Sequence, residues 1–158
     1  MVQLLHLRQD LWMSESGSTP PTVTRAWDLV DQAKAMIDNL SPGELATELA
    51  NSTTVIDIRD FRELYAKGKI PGAIHMPRGM LEFWIDPASE YYRDIFEPTK
   101  RYVLYCAGGG RSALAAKVMK DMGYLDVGHL EPGFGGWEAE ARQIEDCKEG
   151  SKWVPAPK

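Results

Sequence analysis

The sequence predicts an α/β domain with a mostly parallel sheet, and two observations lead to this class. Short strand-like runs, such as the β-branched run 53–58 and the apolar run 101–106, alternate with segments whose apolar residues have helical spacing. No two-residue hairpin signal joins consecutive runs, so the connections are typical of crossovers between parallel strands. The length of 158 residues fits one such domain with short extensions.

Helices are predicted from apolar spacing and from capping residues. Apolar residues from Val23 to Leu40 recur on one face of an amphipathic helix. Ser41 with Glu44, and Asp60 with Glu63, have the spacing of capping boxes and begin helices at 41–49 and 60–68. The remaining helices are predicted at 79–96, with a break near Pro87, at 112–123 and at 133–144, and the remaining strands at 73–76 and 125–130.

The composition argues against several classes of protein. A net charge of −5 disfavours general binding to nucleic acid or to an anionic membrane. No apolar run approaches the roughly 18 residues that a membrane helix needs. Cys106 and Cys147 form no C-x-x-C pair and the three histidines are scattered, which argues against a disulfide scaffold and a structural metal site.

Three segments are expected along the chain. Residues 1–22 are predicted to be a flexible extension, because 14–22 are polar and proline-rich. Residues 23–147 are predicted to form the domain, with an extra helix at its amino-terminal side, and 148–158 a flexible tail. The first residues lack the long apolar region and the cleavage site of a signal peptide, so we expect a cytoplasmic protein.

The stretch VLYCAGGGRSALAAKVM places one cysteine between an apolar strand and a helix. Cys106 follows the strand, three glycines and Arg111 come next, and a helix is predicted to begin near Ser112 with that serine as its cap. Glycines let backbone N–H groups turn inward, and the helix start adds unpaired N–H groups and the positive end of its dipole. The pattern predicts an anion-binding nest around a thiolate.

Two interpretations of Cys106 are open at this point. A free cysteine is often a small core residue beside a tight turn. Alternatively, it is a nucleophile, because several N–H donors would depress its pKa from about 8.5 by roughly one to three units. Arg111 and the helix start favour the nucleophile, since a purely structural turn gains little from either.

Motifs in order along residues 41–140 resemble the rhodanese (sulfurtransferase) family. The cysteine loop resembles the active-site loop of that family, and VIDIRD at 55–60 resembles its first strand and Asp-x-Arg turn. KIPGAIHMP at 69–77 resembles its Gly-His-Ile-Pro-Gly-Ala segment, with Lys69 where histidine is common. The opening helix and the closing Gly-Gly-Trp segment of the family have counterparts in SPGEL at 41–45 and GFGGW at 133–137.

The resemblance implies a rhodanese-like α/β fold, with a central parallel five-stranded sheet flanked by helices on both faces. It implies that Cys106 is the catalytic residue, which accepts a sulfane sulfur as a persulfide and passes it to a thiophilic acceptor. The implied reaction requires no metal and no organic cofactor. The implied substrate-binding residues are Ala107, Gly108, Gly109, Gly110, Arg111 and Ser112.

Loop length separates sulfur transfer from a related chemistry. Cys106 to Arg111 is a six-residue loop, the length associated with sulfur substrates in this family. Cysteine phosphatases and arsenate reductases use a loop one residue longer, and Ser112 stands where their arginine would be. These activities are therefore the less favoured alternative. A non-catalytic rhodanese-like module that binds a protein partner is the other alternative.

The expected partners follow from the implied reaction. The donor is expected to be a small sulfur-containing anion such as thiosulfate, and the acceptor a thiol, cyanide or a thioredoxin-like protein. Nucleic acid and membranes are not expected partners. The extra helix is expected to cover the core or to form the contact of a homodimer.

Other polar residues are assigned mainly structural roles. Asp57 and Arg59 are predicted to form an ion pair or turn bond that holds a loop. Arg111 is expected to attract the donor or to stiffen the cysteine loop. His129 is predicted to be a hydrogen-bonded residue near a strand end, and Cys147 an idle exposed thiol.

Overall fold

A computed structural model describes residues 22–148. The expectations for residues 1–21 and 149–158 lie outside this range. Between residues 22 and 148, no helix is both long enough and apolar enough to cross a membrane.

The described residues form five strands, six α-helices and one 3₁₀ helix. The strands are β1 (Asp38–Leu40), β2 (Thr54–Asp57), β3 (Ile74–His75), β4 (Arg101–Tyr105) and β5 (Asp126–Leu130). The α-helices are α1 (Ala26–Lys34), α2 (Pro42–Glu48), α3 (Phe61–Lys67), α4 (Leu81–Ile85), α5 (Gly110–Asp121) and α6 (Gly133–Ala139), and the 3₁₀ helix spans Arg78–Met80.

The strands form one parallel sheet in the order β1-β5-β4-β2-β3. This confirms the five-stranded parallel sheet that the resemblance implied. Strand β4 is central, and its Val103 is in register with Val55 of β2 and Gly128 of β5. Because ligands of such sheets bind at the carboxyl ends of the strands, the residue after Tyr105 lies at the edge where a ligand is expected to bind.

Helices cover both faces of the sheet, as predicted. Side chains alternate along each strand, so Val103 packs into one hydrophobic cluster and Leu104 into the other. The Leu104 face is covered by helices α1, α4 and α5, and the Val103 face by α2 and α6. The helix α1, which is additional to the minimal domain, buries Val30 and Ala33 and therefore covers part of the core.

Both predicted capping boxes are present. Ser41 caps α2 and exchanges hydrogen bonds with Glu44, and Asp60 caps α3 in the same way with Glu63. Helix α3 ends at Lys67, and the next residue, Gly68, has a φ of 77°, a backbone conformation that favours glycine. The second box brings Glu63 to the carboxyl edge of the sheet.

The predicted helix over residues 23–40 was wrong in its second half. The helix ends at Lys34, and the chain turns into the edge strand β1. The turn is closed by Asn39, whose side-chain amide donates to the carbonyl oxygens of Lys34 (2.9 Å) and Ile37 (3.2 Å). Ile37 and Leu40 are buried, so their apolar spacing imitates a continuing helix.

Two other predicted helices end earlier than expected. The segment 79–96 is helical only through Ile85, after which Asp86 accepts a hydrogen bond from the Ala88 amide (2.8 Å) in a turn around Pro87. Helix α6 ends at Ala139 rather than continuing to residue 144.

Candidate active site

Cys106 lies directly after β4, at the carboxyl edge of the sheet. The residue is only 1% exposed, so its thiol lies on the floor of the loop that follows. Its carbonyl oxygen accepts from the Phe134 amide (2.8 Å), and that of Ala107 accepts from the Gly135 amide (3.0 Å). These bonds tie the cysteine loop to the first turn of α6.

The loop requires glycine at Gly109. This residue has a φ of 97°, which L side chains rarely adopt, and a Cβ there would overlap the carbonyl oxygen of Glu131. Gly133 supports the loop from the other side, because it has a φ of 64° and a Cβ there would lie 2.5 Å from the Ala107 carbonyl oxygen. The chain can therefore approach itself closely on both sides of Cys106.

The Gly109 amide donates to the Cys106 Sγ at 3.1 Å. Helix α5 begins at the next residue, Gly110, so the amides of its first turn have no carbonyl partner within the helix. The positive end of the helix dipole therefore lies beside the sulfur. An N–H donor beside a helix N-terminus forms a local environment that can bind an anion.

The prediction that Ser112 caps the helix was wrong. Gly109 is the N-cap residue, and Ser112 is a buried residue in the first turn of α5. Its Oγ lies 3.5 Å from the Cys106 Sγ and 3.1 Å from the Gly109 carbonyl oxygen. The serine contacts the sulfur because the helix begins two residues earlier than the sequence indicated.

Arg111 lies at the rim of the loop. Its guanidinium forms a two-pronged pair with Glu63 at 2.9 and 3.0 Å, and its side chain is 46% exposed. The hydrogen bonds from Arg111 hold the pKa of Glu63 below its ordinary value. This pair connects the start of α5 to α3 and leaves the arginine open to solvent.

Asp57 and Arg59 form the predicted ion pair, and it is buried. The Arg59 guanidinium bonds both carboxylate oxygens of Asp57, the shortest distance being 2.7 Å, and donates to the Gly68 carbonyl oxygen at 2.7 Å. It also lies 4.1 Å from the centre of the Phe134 ring. The Phe134 amide donates to the Cys106 carbonyl oxygen, so the ion pair helps to hold the cysteine loop through its contact with Phe134.

A cavity of about 350 Å³ opens beside the loop. Ala107 forms one wall, Arg59 and Phe134 another, and Glu63 and Lys67 belong to the α3 side. The cavity is large enough for a small anion or for the terminal group of a larger acceptor. Among the described residues, no three His, Cys, Asp or Glu side chains are grouped as a metal site would require.

Sequence reasoning missed two residues at this site. Trp27 of α1 lies against Gly110, since a Cβ at that glycine would be 3.2 Å from the indole ring, yet Trp27 is 64% exposed. His129 of β5 is fully buried and its Nδ1 lies 3.0 Å from the Ser112 Oγ. Its adjacency to the loop depends on the strand order, which no local pattern reveals.

The structure brings two of the predicted residues to the sulfur and places two others nearby in the loop. Gly109 and Ser112 contact it, Arg111 forms the rim, and Ala107 lines the cavity. The domain is thus a parallel α/β domain whose candidate site is a cysteine loop at the carboxyl ends of the strands.

Comparison with known proteins gives the family. The sequence model of the rhodanese-like domain matches residues 41–140. The chain therefore belongs to the rhodanese-like domain family, as the motif resemblance predicted.

Two curated relatives match part of the chain. One is YrkF of Bacillus subtilis, named as a candidate sulfur carrier, which is 33% identical over 86 residues, or 54% of this chain and 42% of the relative. The other is a tRNA uridine(34) hydroxylase of Brucella anthropi, 32% identical over 115 residues, or 70% of this chain and 36% of the relative. The matched regions thus span less than half the length of each relative.

A solved structure is similar over most of the chain. It is a protein of unknown function from Rhodopseudomonas palustris, described as a possible tyrosine phosphatase. The two sequences are 46% identical, the match covers 81% of this chain and all of the other, and the TM-score is 0.74.

Proposed function

We propose that this protein is a sulfurtransferase that carries a sulfane sulfur on Cys106. The observation that carries the proposal is the Gly109 amide, 3.1 Å from the Sγ, beside the unpaired amides at the start of α5. A persulfide has the same single negative charge as a thiolate and extends it by one atom. In the proposed intermediate, the unpaired amides of the first turn stabilise that second sulfur.

The proposed reaction is a double displacement. The Cys106 thiolate attacks the outer sulfur of thiosulfate, a new S–S bond forms, and the old S–S bond breaks as sulfite leaves with the electron pair. A thiol, a thioredoxin-like protein or cyanide then attacks the outer sulfur of the persulfide. The Cys106 thiolate leaves with the electron pair and is restored.

Phosphatase activity is the second candidate, because the similar Rhodopseudomonas structure is described in those terms. The position of the phosphatase arginine is occupied here by Ser112, which is buried and bonded within the fold. A phosphoryl group would therefore lack the guanidinium fork that binds its oxygens. We expect no Cys106-dependent hydrolysis of p-nitrophenyl phosphate, and such hydrolysis would favour the phosphatase.

Steady-state kinetics test the proposed mechanism. Because the donor product leaves before the acceptor binds, plots of reciprocal initial rate against reciprocal thiosulfate concentration should be parallel at several cyanide concentrations. Lines that intersect would show that both substrates bind together, and would contradict a covalent sulfur intermediate.

Arg111 is proposed to attract the anionic donor. Replacing it with glutamine is expected to raise the KM for thiosulfate about tenfold, with a smaller change in kcat, because a rim charge acts mainly on binding. Added salt should raise the KM of the wild type but hardly that of Arg111→Gln. Steady-state rates at two ionic strengths measure both effects.

The matched control is Lys120→Gln, at the other end of the same helix. Lys120 is exposed, so its loss makes the same change in net charge away from the loop. An equal rise in KM for both variants would mean that overall charge, rather than Arg111, attracts the donor.

A further inference from the structure

A chain of hydrogen bonds leads away from the proposed nucleophile, and it is buried as far as His129. The Cys106 Sγ lies 3.5 Å from the Ser112 Oγ, which lies 3.0 Å from the His129 Nδ1. The His129 Nε2 in turn lies 2.9 Å from the Asn39 Oδ1. The four residues come from four parts of the fold: the cysteine loop, α5, β5 and β1.

The direction of these bonds follows from Asn39. Its side-chain amide nitrogen donates to two backbone carbonyls in the turn after α1, so its oxygen faces the histidine and can only accept. The His129 Nε2 must therefore carry a proton. In the neutral ring, Nδ1 is then an acceptor that faces the Ser112 hydroxyl, whose single proton is shared between Nδ1 and the Gly109 carbonyl oxygen at 3.1 Å.

Burial keeps His129 neutral while the cysteine is a thiol. Desolvation, with a smaller contribution from Lys34, lowers the pKa of His129 to about 4. Glu131 and the Gly109 backbone act in the opposite direction, and Lys34 and Glu131 pair with each other at 3.2 Å. At neutral pH the imidazole is thus an uncharged base within the fold.

We propose that His129 accepts the Cys106 thiol proton through Ser112, in the sulfur-transfer reaction proposed above. The S–H bond breaks as its proton joins the Ser112 oxygen, and the serine proton moves to the His129 Nδ1. The products are a thiolate and an imidazolium. The Nδ1–H then donates to Ser112 and the new serine hydroxyl donates to the sulfur, so these two bonds persist with their directions reversed, while the His129 Nε2 continues to donate to the Asn39 Oδ1.

The charges of this product state favour each other. A lone imidazolium at His129 is disfavoured by burial, but the thiolate supplies an opposite charge two hydrogen bonds away. The thiol–imidazole and thiolate–imidazolium states hold the same number of protons, so the two groups titrate as a pair. Ser112 touches the reacting sulfur, and His129 is a positioning residue that acts through it.

The pH dependence of Cys106 alkylation tests this proposal. Iodoacetamide reacts with the thiolate, and mass spectrometry in a Cys147→Ser background follows Cys106 alone. We expect His129→Gln to raise the apparent pKa of alkylation by about one unit, so that the rate at about pH 7 falls about tenfold while the rate at high pH is kept. Ser112→Ala should have the same effect, and the double variant no further effect, because the two residues act in series.

His75→Gln is the matched control. His75 is a half-buried histidine of β3 that bonds the Arg59 carbonyl oxygen at 2.7 Å, away from the Ser112 chain, and its loss should leave the alkylation profile unchanged. Any of three results would overturn the proposal. These are an equal fall in the alkylation rate of His129→Gln at every pH, additive effects of His129→Gln and Ser112→Ala, and a profile of His129→Gln that equals that of the wild type.

The wild-type protein provides a second test that does not depend on the folding of variants. In the pH range where Cys106 reacts as a thiolate and the pair still holds one proton, the ¹⁵N shift of the His129 Nδ1 should report a protonated nitrogen, which is lost at higher pH and is absent after Cys106 is alkylated. An Nδ1 that is unprotonated throughout that range would refute the relay. Neither readout requires a sulfur donor. If His129→Gln shifts the alkylation profile as expected but thiosulfate forms no persulfide, the proposed function is rejected and the relay stands.

Discussion

Replacing Cys106 by serine is expected to reduce sulfur transfer from thiosulfate to cyanide to the uncatalysed rate. A serine hydroxyl is not ionised at neutral pH, and its oxygen cannot form the S–S bond on which the proposed cycle depends. The substitution is nearly isosteric, and the Gly109 amide retains an acceptor at the same place. Loss of activity without loss of the fold is therefore the expected result.

Cys147→Ser is the matched control for this substitution. Cys147 is the other cysteine of the chain; it is half-buried rather than exposed as predicted, and its thiol lies 3.7 Å from the Glu145 carbonyl oxygen. Its replacement should leave the transfer rate unchanged. Thermal unfolding of both variants separates chemistry from stability, and substantial turnover by a folded Cys106→Ser variant would contradict the assignment of the nucleophile.

Replacing Gly109 by alanine is expected to cost both stability and activity. The left-handed backbone conformation costs an alanine about 1–2 kcal/mol, and the overlap with the Glu131 carbonyl adds a packing cost of about 1–3 kcal/mol. Any shift that relieves the overlap moves the amide that bonds the sulfur. Loss of such a donor typically lowers kcat by about 10²-fold or more. Urea unfolding and steady-state rates measure the two effects.

Gly108→Ala provides the comparison for Gly109→Ala. A Cβ at Gly108 meets no atom within 4 Å, and Gly108 is absent from the described residues with positive φ. This variant should unfold at nearly the wild-type urea concentration. If the two alanine variants were equally stable and equally active, the close approach at Gly109 would have no role in shaping the loop.

Local patterns predicted the elements that position the site. The Asp60–Glu63 capping box depends on four consecutive residues, so sequence alone placed the start of α3 correctly. The strand before Cys106 and the glycine-rich turn after it are equally local. These local features predict, from the sequence alone, that the proposed nucleophile lies at the carboxyl edge of the sheet.

Features that depend on distant residues could not be predicted in this way. Strand β1 has three residues, of which only Leu40 is buried, so it has no alternating pattern to detect. The contact between Ser112 and His129 requires β5 to lie beside β4, and the pair between Arg111 and Glu63 requires α3 to reach the cysteine loop. Each of these follows from the strand order rather than from spacing along the chain.

Intact-protein mass spectrometry after treatment with thiosulfate tests the central claim most directly. We predict that the wild-type chain gains the mass of one sulfur atom on Cys106, that cyanide removes it, and that Cys106→Ser gains nothing. No gain in the wild type, or an equal gain in Cys106→Ser, would contradict a sulfur-carrying cysteine at this site.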